Sequence, residues 1–209
     1  MPYQKIPLDD HVSGAVKDVV RRVIDPYLYE FRFLLTVQHP DQGPKGSLQR
    51  LLAALLLSAT DGAAQLLHPG RMRDGERFKG FVKACFPWEI DKPDGLTVDE
   101  ACDFLWEEVR CAMLHRFGMR SRPLLATKLG RKFVLDEEDL SALETSVSER
   151  PYTLTSVRRN KERTVLWIEP FYWALRIAIP RAISTQEKAD AVCAWIKSGD
   201  WDRTRKKAS

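Results

Sequence analysis

Apolar residues recur at helical spacing from the start of the chain. Val16, Val19, Val20 and Val23 fall on one face of a 3.6-residue turn and predict a helix over 13–24. Asp25-Pro26 is then either a break or a fresh helix start, because proline lacks the N–H that a helix interior uses. Leu28, Phe31, Leu34 and Leu35 resume the period over 27–38, and His39-Pro40-Asp41-Gln42-Gly43-Pro44 has the composition of a loop. The strongest stripe follows. Leu48, Leu51, Leu52, Leu55 and Leu56 predict a helix capped by Ser47, running to Leu67 and ended by His68-Pro69-Gly70. A short helix over 75–85 places Phe78, Phe81 and Val82 inward. Thr97-Val98-Asp99-Glu100 is a capping box, and Ala101, Phe104, Leu105, Val109, Ala112, Met113 and Phe117 extend a helix from it over about 98–117, with Gly118 placed as a left-handed cap.

The period then changes. Residues 123–135 read as extended, with Gly130-Arg131 as a hairpin turn. Residues 136–148 read as a helix with an acidic first turn, and 151–157 and 164–168 as strands joined by the polar turn Arg159-Asn160-Lys161-Glu162. Pro170 starts an aromatic helix that Pro180 interrupts; Ser184 caps a last helix that Gly199 stops. The fold class is therefore mainly α: a helical bundle with a small β-hairpin insertion, about 121–168, before the C-terminal helices. Residues 1–199 form one domain and 200–209 a basic flexible tail.

Composition narrows the class. With 209 residues and 44% apolar content, the chain buries roughly 70% of its unfolded surface, which excludes disorder for its bulk. The apolar run 51–57 is too short to span a bilayer, and the N-terminus lacks the apolar core of a signal peptide, so a cytoplasmic address without membrane contact is expected. None of the four cysteines forms a CxxC pair; Cys85, Cys102, Cys111 and Cys193 read as free thiols in apolar surroundings, and neither a metal nor another cofactor is expected. His11, His39 and His68 stand near helix ends or in loops without a ligand set. Trp167, Phe171, Tyr172 and Trp173 suit core packing or a dimer seam better than base stacking.

The net charge of +4 is uneven. Residues 110–132 hold seven basic side chains and no acidic one. Such a stretch suits a polyanion, and Arg116, Arg120 and Arg122 are the candidate nucleic-acid contacts. The competing role is a solvated surface whose acidic partners come from elsewhere in the fold. Nucleotide-loop, zincin and nucleophile-elbow motifs are absent, and the adjacent acids Glu107-Glu108 diverge around a helix.

One constellation remains, Arg110 and His115 in Glu107-Glu108-Val109-Arg110-Cys111-Ala112-Met113-Leu114-His115. A histidine titrating near neutrality can move a proton, and an arginine can clamp a phosphate; RNA supplies its own 2′-hydroxyl nucleophile. On an ideal helix the two side chains are roughly 140° apart, so they meet only through the length of Arg110 or fraying near Gly118. Arg110 could instead pair with Glu107, three residues earlier, or form an interface salt bridge.

The segment resembles the HEPN (higher eukaryotes and prokaryotes nucleotide-binding) domain family, whose motif is Arg, four to six residues, then His. The resemblance implies a helical bundle, usually a homodimer with the two motifs facing each other. It implies metal-independent endoribonuclease activity of the kind found in toxin–antitoxin, phage-defence and RNA-processing systems. RNA and a second copy are the implied partners, with an antitoxin or regulatory protein as a further one. Arg110 and His115 become the catalytic pair, His115 as general acid/base and Arg110 as phosphate clamp. Cys111 departs from the Asn, Asp or His that active members carry after the arginine. That leaves the alternative of a non-catalytic module that binds RNA, a nucleotide or a partner.

Overall fold

A computed structural model describes residues 5–36, 46–111, 132–136, 156–159 and 163–201. Helix α1 (Gly14–Val19) passes through a π-helical segment (Val20–Ile24) into α2 (Asp25–Thr36). The helix therefore neither breaks nor restarts at Asp25-Pro26. The Asp25 N–H bonds five residues back to the Val20 carbonyl, so the turn entering the proline is wide. A wide turn leaves room for the ring and absorbs the missing donor. Buried Asp25 adds a tie: its carboxylate accepts from the Ile6 N–H at 3.2 Å and from Arg21 Nη1 at 2.6 Å.

Helix α3 (Gly46–Leu67) buries Leu52 and Leu56 of its stripe but leaves Leu51 exposed, and it starts at Gly46, so Ser47 lies inside it and is not its cap. Helix α4 (Asp74–Cys85) buries Phe78, Phe81 and Val82 as predicted. Thr97 caps α5 (Val98–Asp103) as its sequence requires: Thr97 Oγ1 accepts from the Glu100 N–H at 3.2 Å, and the Glu100 carboxylate accepts from the Thr97 N–H at 2.8 Å. Those bonds hold the Glu100 carboxyl below its ordinary range. The helix continues as a second π-helical segment (Phe104–Arg110). Residues 112–117, the rest of the predicted helix, and its cap Gly118 lie outside the described residues.

Strands β1 (Lys132–Asp136), β2 (Val157–Arg159) and β3 (Arg163–Trp167) form a sheet of order β1-β3-β2. The hairpin before the C-terminal helices is present as the antiparallel β2–β3 pair, Val157 opposite Leu166. β1 pairs in parallel with β3, Lys132 opposite Arg163; the hairpin turn expected at Gly130-Arg131 lies outside the described residues. β1 departs from expectation in taking in Asp136, which was expected to open a helix; the rest of that expected helix is not described. The loop before α5 binds the other edge. Asp94 exchanges backbone bonds with Val157 and Arg159 at 3.1 and 2.7 Å. Gly95, at φ 72°, lies so close that an added Cβ would overlap the Arg159 carbonyl oxygen. Beneath it, buried Asp91 accepts from the Ser156 N–H at 2.6 Å and from the Ser156 hydroxyl.

Helix α6 (Ile168–Ala182) begins two residues before Pro170 and runs through Pro180. A proline at the third helical position costs little, since the first four N–H groups have no intrahelical acceptor. Pro180 sits in the last turn, where only one bond is lost before the helix ends. Thr185, not Ser184, caps α7 (Gln186–Ser198), accepting from the Lys188 N–H at 3.3 Å; Gly199 ends it at φ 68°. The core lies where α3 meets α2, α4, α6 and α7, and α4 also packs on α5 and α6. Phe78, Phe81, Phe171 and Tyr172 are fully buried there, each contributing about 1.5–3 kcal/mol by leaving water. Among the described residues, no helix is long and apolar enough to cross a membrane.

Candidate functional site

The motif helix reaches its site through α5. Ala101, Leu105 and Val109 are fully buried, which fixes the opposite side of the helix outward. Within the π-helical segment the Cys111 N–H bonds five residues back, to the Trp106 carbonyl. The 100° arithmetic that places Arg110 and His115 far apart runs over 111–115, of which 112–115 lie outside the described residues.

Arg110 is turned toward the fold. Its Nη2 donates to Asp61 Oδ2 at 2.6 Å, with side chains only 14% and 21% exposed. Its guanidinium carbon lies 4.4 Å from the centroid of the Trp106 ring, which roofs the pair as a cation–π partner. Trp106 is wedged in turn. Its ring tilts against Phe78 at a centroid distance of 5.3 Å, and its Nε1 sits where a side chain on Gly75 would be, 2.8 Å from an ideal Cβ. Glycine at 75 is thus what lets the indole lie flat enough to meet Arg110.

Asp61 was missed by sequence reasoning, which offered Glu107 as the local partner. The signal was faint but present: Asp61 is the only acidic residue of α3. A carboxylate alone in a long apolar helix needs a partner from another element. His115 and the nucleic-acid candidates Arg116, Arg120 and Arg122 lie outside the described residues, so of the five candidate side chains the structure describes Arg110 alone.

The rest of the α4–α5 surface is laced by ion pairs. Lys79 meets Asp103 at 2.9 Å and Lys83 meets Asp99 at 2.5 Å. Arg159 of the hairpin meets Glu100 at 3.0 Å. The hydrogen bond to Asp103 raises Lys79 above its ordinary value, and that to Asp99 does the same for Lys83. Basic residues of α4 and β2 thus find acids supplied by α5. Compared with protein-family models, curated proteins and solved structures, the chain matches none.

The remaining described candidates take structural places; His39 lies outside the described residues. Cys85, Cys102 and Cys193 are buried free thiols and Cys111 is half-buried. Burial pushes Cys85 up to about 11 and Cys102 up to about 12, which keeps both protonated and unreactive at neutral pH. Among the described residues no three His, Cys, Asp or Glu side chains are grouped to hold a metal. His11 bonds the Ile183 carbonyl at 3.0 Å. His68 packs against Gly80, and burial, then Arg77, holds its imidazole below the ordinary value. Of the aromatic cluster, Phe171, Tyr172 and Trp173 are buried, as core packing requires, and Trp167 is half-buried.

Proposed function

We propose that this chain is a helical RNA-binding module of the HEPN kind, in which Arg110 organises the motif helix and Arg116, Arg120 and Arg122 contact phosphates. The observation that supports this reading is the Arg110–Asp61 pair. A guanidinium compensated at 2.6 Å and roofed by an indole has most of its field spent inside the fold. The basic residues beyond it have no acidic neighbour in sequence as far as Leu135. They carry the affinity, and the salt dependence follows from the counterions they displace.

A second reading, the metal-independent endoribonuclease, has one observation in its favour. The segment leading to the motif is π-helical, and π-helical turns recur at functional sites. In it Arg110 leaves Asp61 to clamp the scissile phosphate while His115 transfers the proton. One experiment separates the two. Purified protein is incubated with labelled tRNA and a single-stranded RNA in EDTA across a salt series, beside His115→Ala and a triple Arg116→Gln/Arg120→Gln/Arg122→Gln variant. The binding module gives intact RNA and a log–log salt slope that falls by about 2 in the triple variant, at roughly 0.7 per phosphate contact. Cleavage by wild type, lost in His115→Ala and leaving 2′,3′-cyclic phosphate ends, selects the ribonuclease. Absence of any RNA binding at low salt rejects both.

A further inference from the structure

The outward side of α2 carries a concentration of apolar surface. Leu28 and Phe31 hold the inner side on the core, Phe31 stacked on Tyr172 at 5.3 Å. Of the five large apolar side chains exposed among the described residues, four fall between Val23 and Phe33. Val23, Tyr27, Tyr29 and Phe33 are 47%, 52%, 53% and 61% exposed. Tyr29 and Phe33 make further interactions and keep those exposures with them in place. Single exposed apolar residues are ordinary, whereas a cluster along about three turns of one helix marks an interaction surface.

The charges on this side choose the partner. Arg22 stands four residues before Pro26 and Glu30 four residues after it, and all three are exposed. Arg22 meets Asp18 only loosely, at 3.9 Å, with side chains 79% and 67% exposed. In two helices related by a two-fold axis at position 26, residues equally far before and after that position lie level with each other. Arg22 of each copy then faces Glu30 of the other, and Val23, three residues before Pro26, faces Tyr29, three residues after it. The surface is complementary to itself in charge and in apolar content, which a surface built for an unrelated partner need not be.

We propose that two copies of this chain pair through α2, antiparallel about a two-fold axis at Pro26, with Arg22 of each against Glu30 of the other. Val23, Tyr29 and Phe33 leave water between the two helices, and Tyr27 lies at the rim. This dimer differs from the motif-to-motif dimer that the HEPN resemblance implies, and it does not rest on the RNA reading. A contact about three turns long buries less than the roughly 1,600 Å² of a standard interface, so a dissociation constant in the micromolar range is expected.

The test is sedimentation equilibrium of the full chain from low to high micromolar concentration. Wild type is expected to pass from monomer to dimer. Tyr29→Ser/Phe33→Ser should raise the dissociation constant at least about tenfold with the circular dichroism spectrum unchanged. Arg22→Glu, a fully surface change that keeps the test open if the apolar variant misfolds, should raise it about fivefold. Arg22→Glu/Glu30→Arg exchanges the two charges and should return it to within about threefold of wild type. A structural role of either charge within one copy gives no such rescue. A chain that stays monomeric throughout, as when another of its own segments covers α2, overturns the proposal. So does a dimer that either the apolar variant or Arg22→Glu leaves as tight as wild type, which would put the contact elsewhere, the motif helices included. Failure of the exchanged pair to restore the dimer overturns it as well.

Discussion

The two π-helical segments invite comparison. Both open the helix to a five-residue bond, at Asp25 and at Cys111, and both are tied by an arginine–aspartate pair at 2.6 Å. Their causes differ. The segment at 20–24 precedes a proline, so the chain's own covalent structure explains the widening. Its ion pair is local, Arg21 to Asp25, four residues apart on one helix. The segment at 104–110 contains no proline and precedes none. Its ion pair reaches across the fold to α3, and its shape is imposed by Trp106 wedged on Gly75 and by Arg110 drawn to Asp61. A π-helical turn that local sequence demands is a repair. One that tertiary contacts impose holds a side chain in place, which is the reason to look for function there.

Three substitutions would break or sharpen that contrast. The largest effect is expected for Asp25→Ala. It leaves the Ile6 N–H without this acceptor and removes the partner of Arg21, so a loss of about 2–3 kcal/mol is expected in urea unfolding. Gly75→Ala comes next. Its methyl overlaps the Trp106 indole, which should cost about 1–3 kcal/mol and move Trp106 off Arg110, seen as a shifted indole Nε1–H resonance. If stability and resonance both stay at wild type, the wedge does not shape the second segment. The smallest stability change is expected for Asp61→Ala, about 1–2 kcal/mol, because Arg110 can turn to water. This variant is the sharpest on function. Freed of Asp61, Arg110 becomes an additional phosphate contact, and the RNA salt slope should steepen by roughly 0.7. An unchanged slope with lowered stability would make Arg110 purely a structural tie.

The five-residue bond at Asp25 also shows why some local predictions failed. Only proline's missing donor is visible in sequence, and it points to a break or a restart. The room for its ring came from the neighbouring turn. Pro180 misled in the same way, since its cost depends on how many helix bonds remain after it. The Thr97 box and the Gly199 cap form as the sequence predicts, because each is a pattern complete within one turn. The α3 stripe holds only in part: Leu52 and Leu56 are buried, but Leu51 is exposed, because the neighbours packed on α3 decide which part of the stripe is covered. The strand expected over 164–168 is β3, but the one expected over 151–157 meets β2 only at Val157, and Arg159, expected in the turn, belongs to the strand; the parallel partner of β1 was not legible. Alternation specifies a face and says nothing of a neighbour thirty residues away.

The candidate site divides along the same line. Residue type and order alone put Arg110 on a capped amphipathic helix followed by an acid-free basic stretch, because caps, periodicity and charge runs are short-range properties. The partner of Arg110 is forty-nine residues away, and the glycine that seats its aromatic roof lies in a third helix. Arg32 and Arg176 likewise reach the same Trp173 ring only because α2 and α6 pack together, Phe31 on Tyr172. Local sequence determined the elements, since their energies are settled within a few residues. Only the tertiary structure decided which charges meet, because a carboxylate or a ring leaving water takes its partner from whatever element is packed beside it.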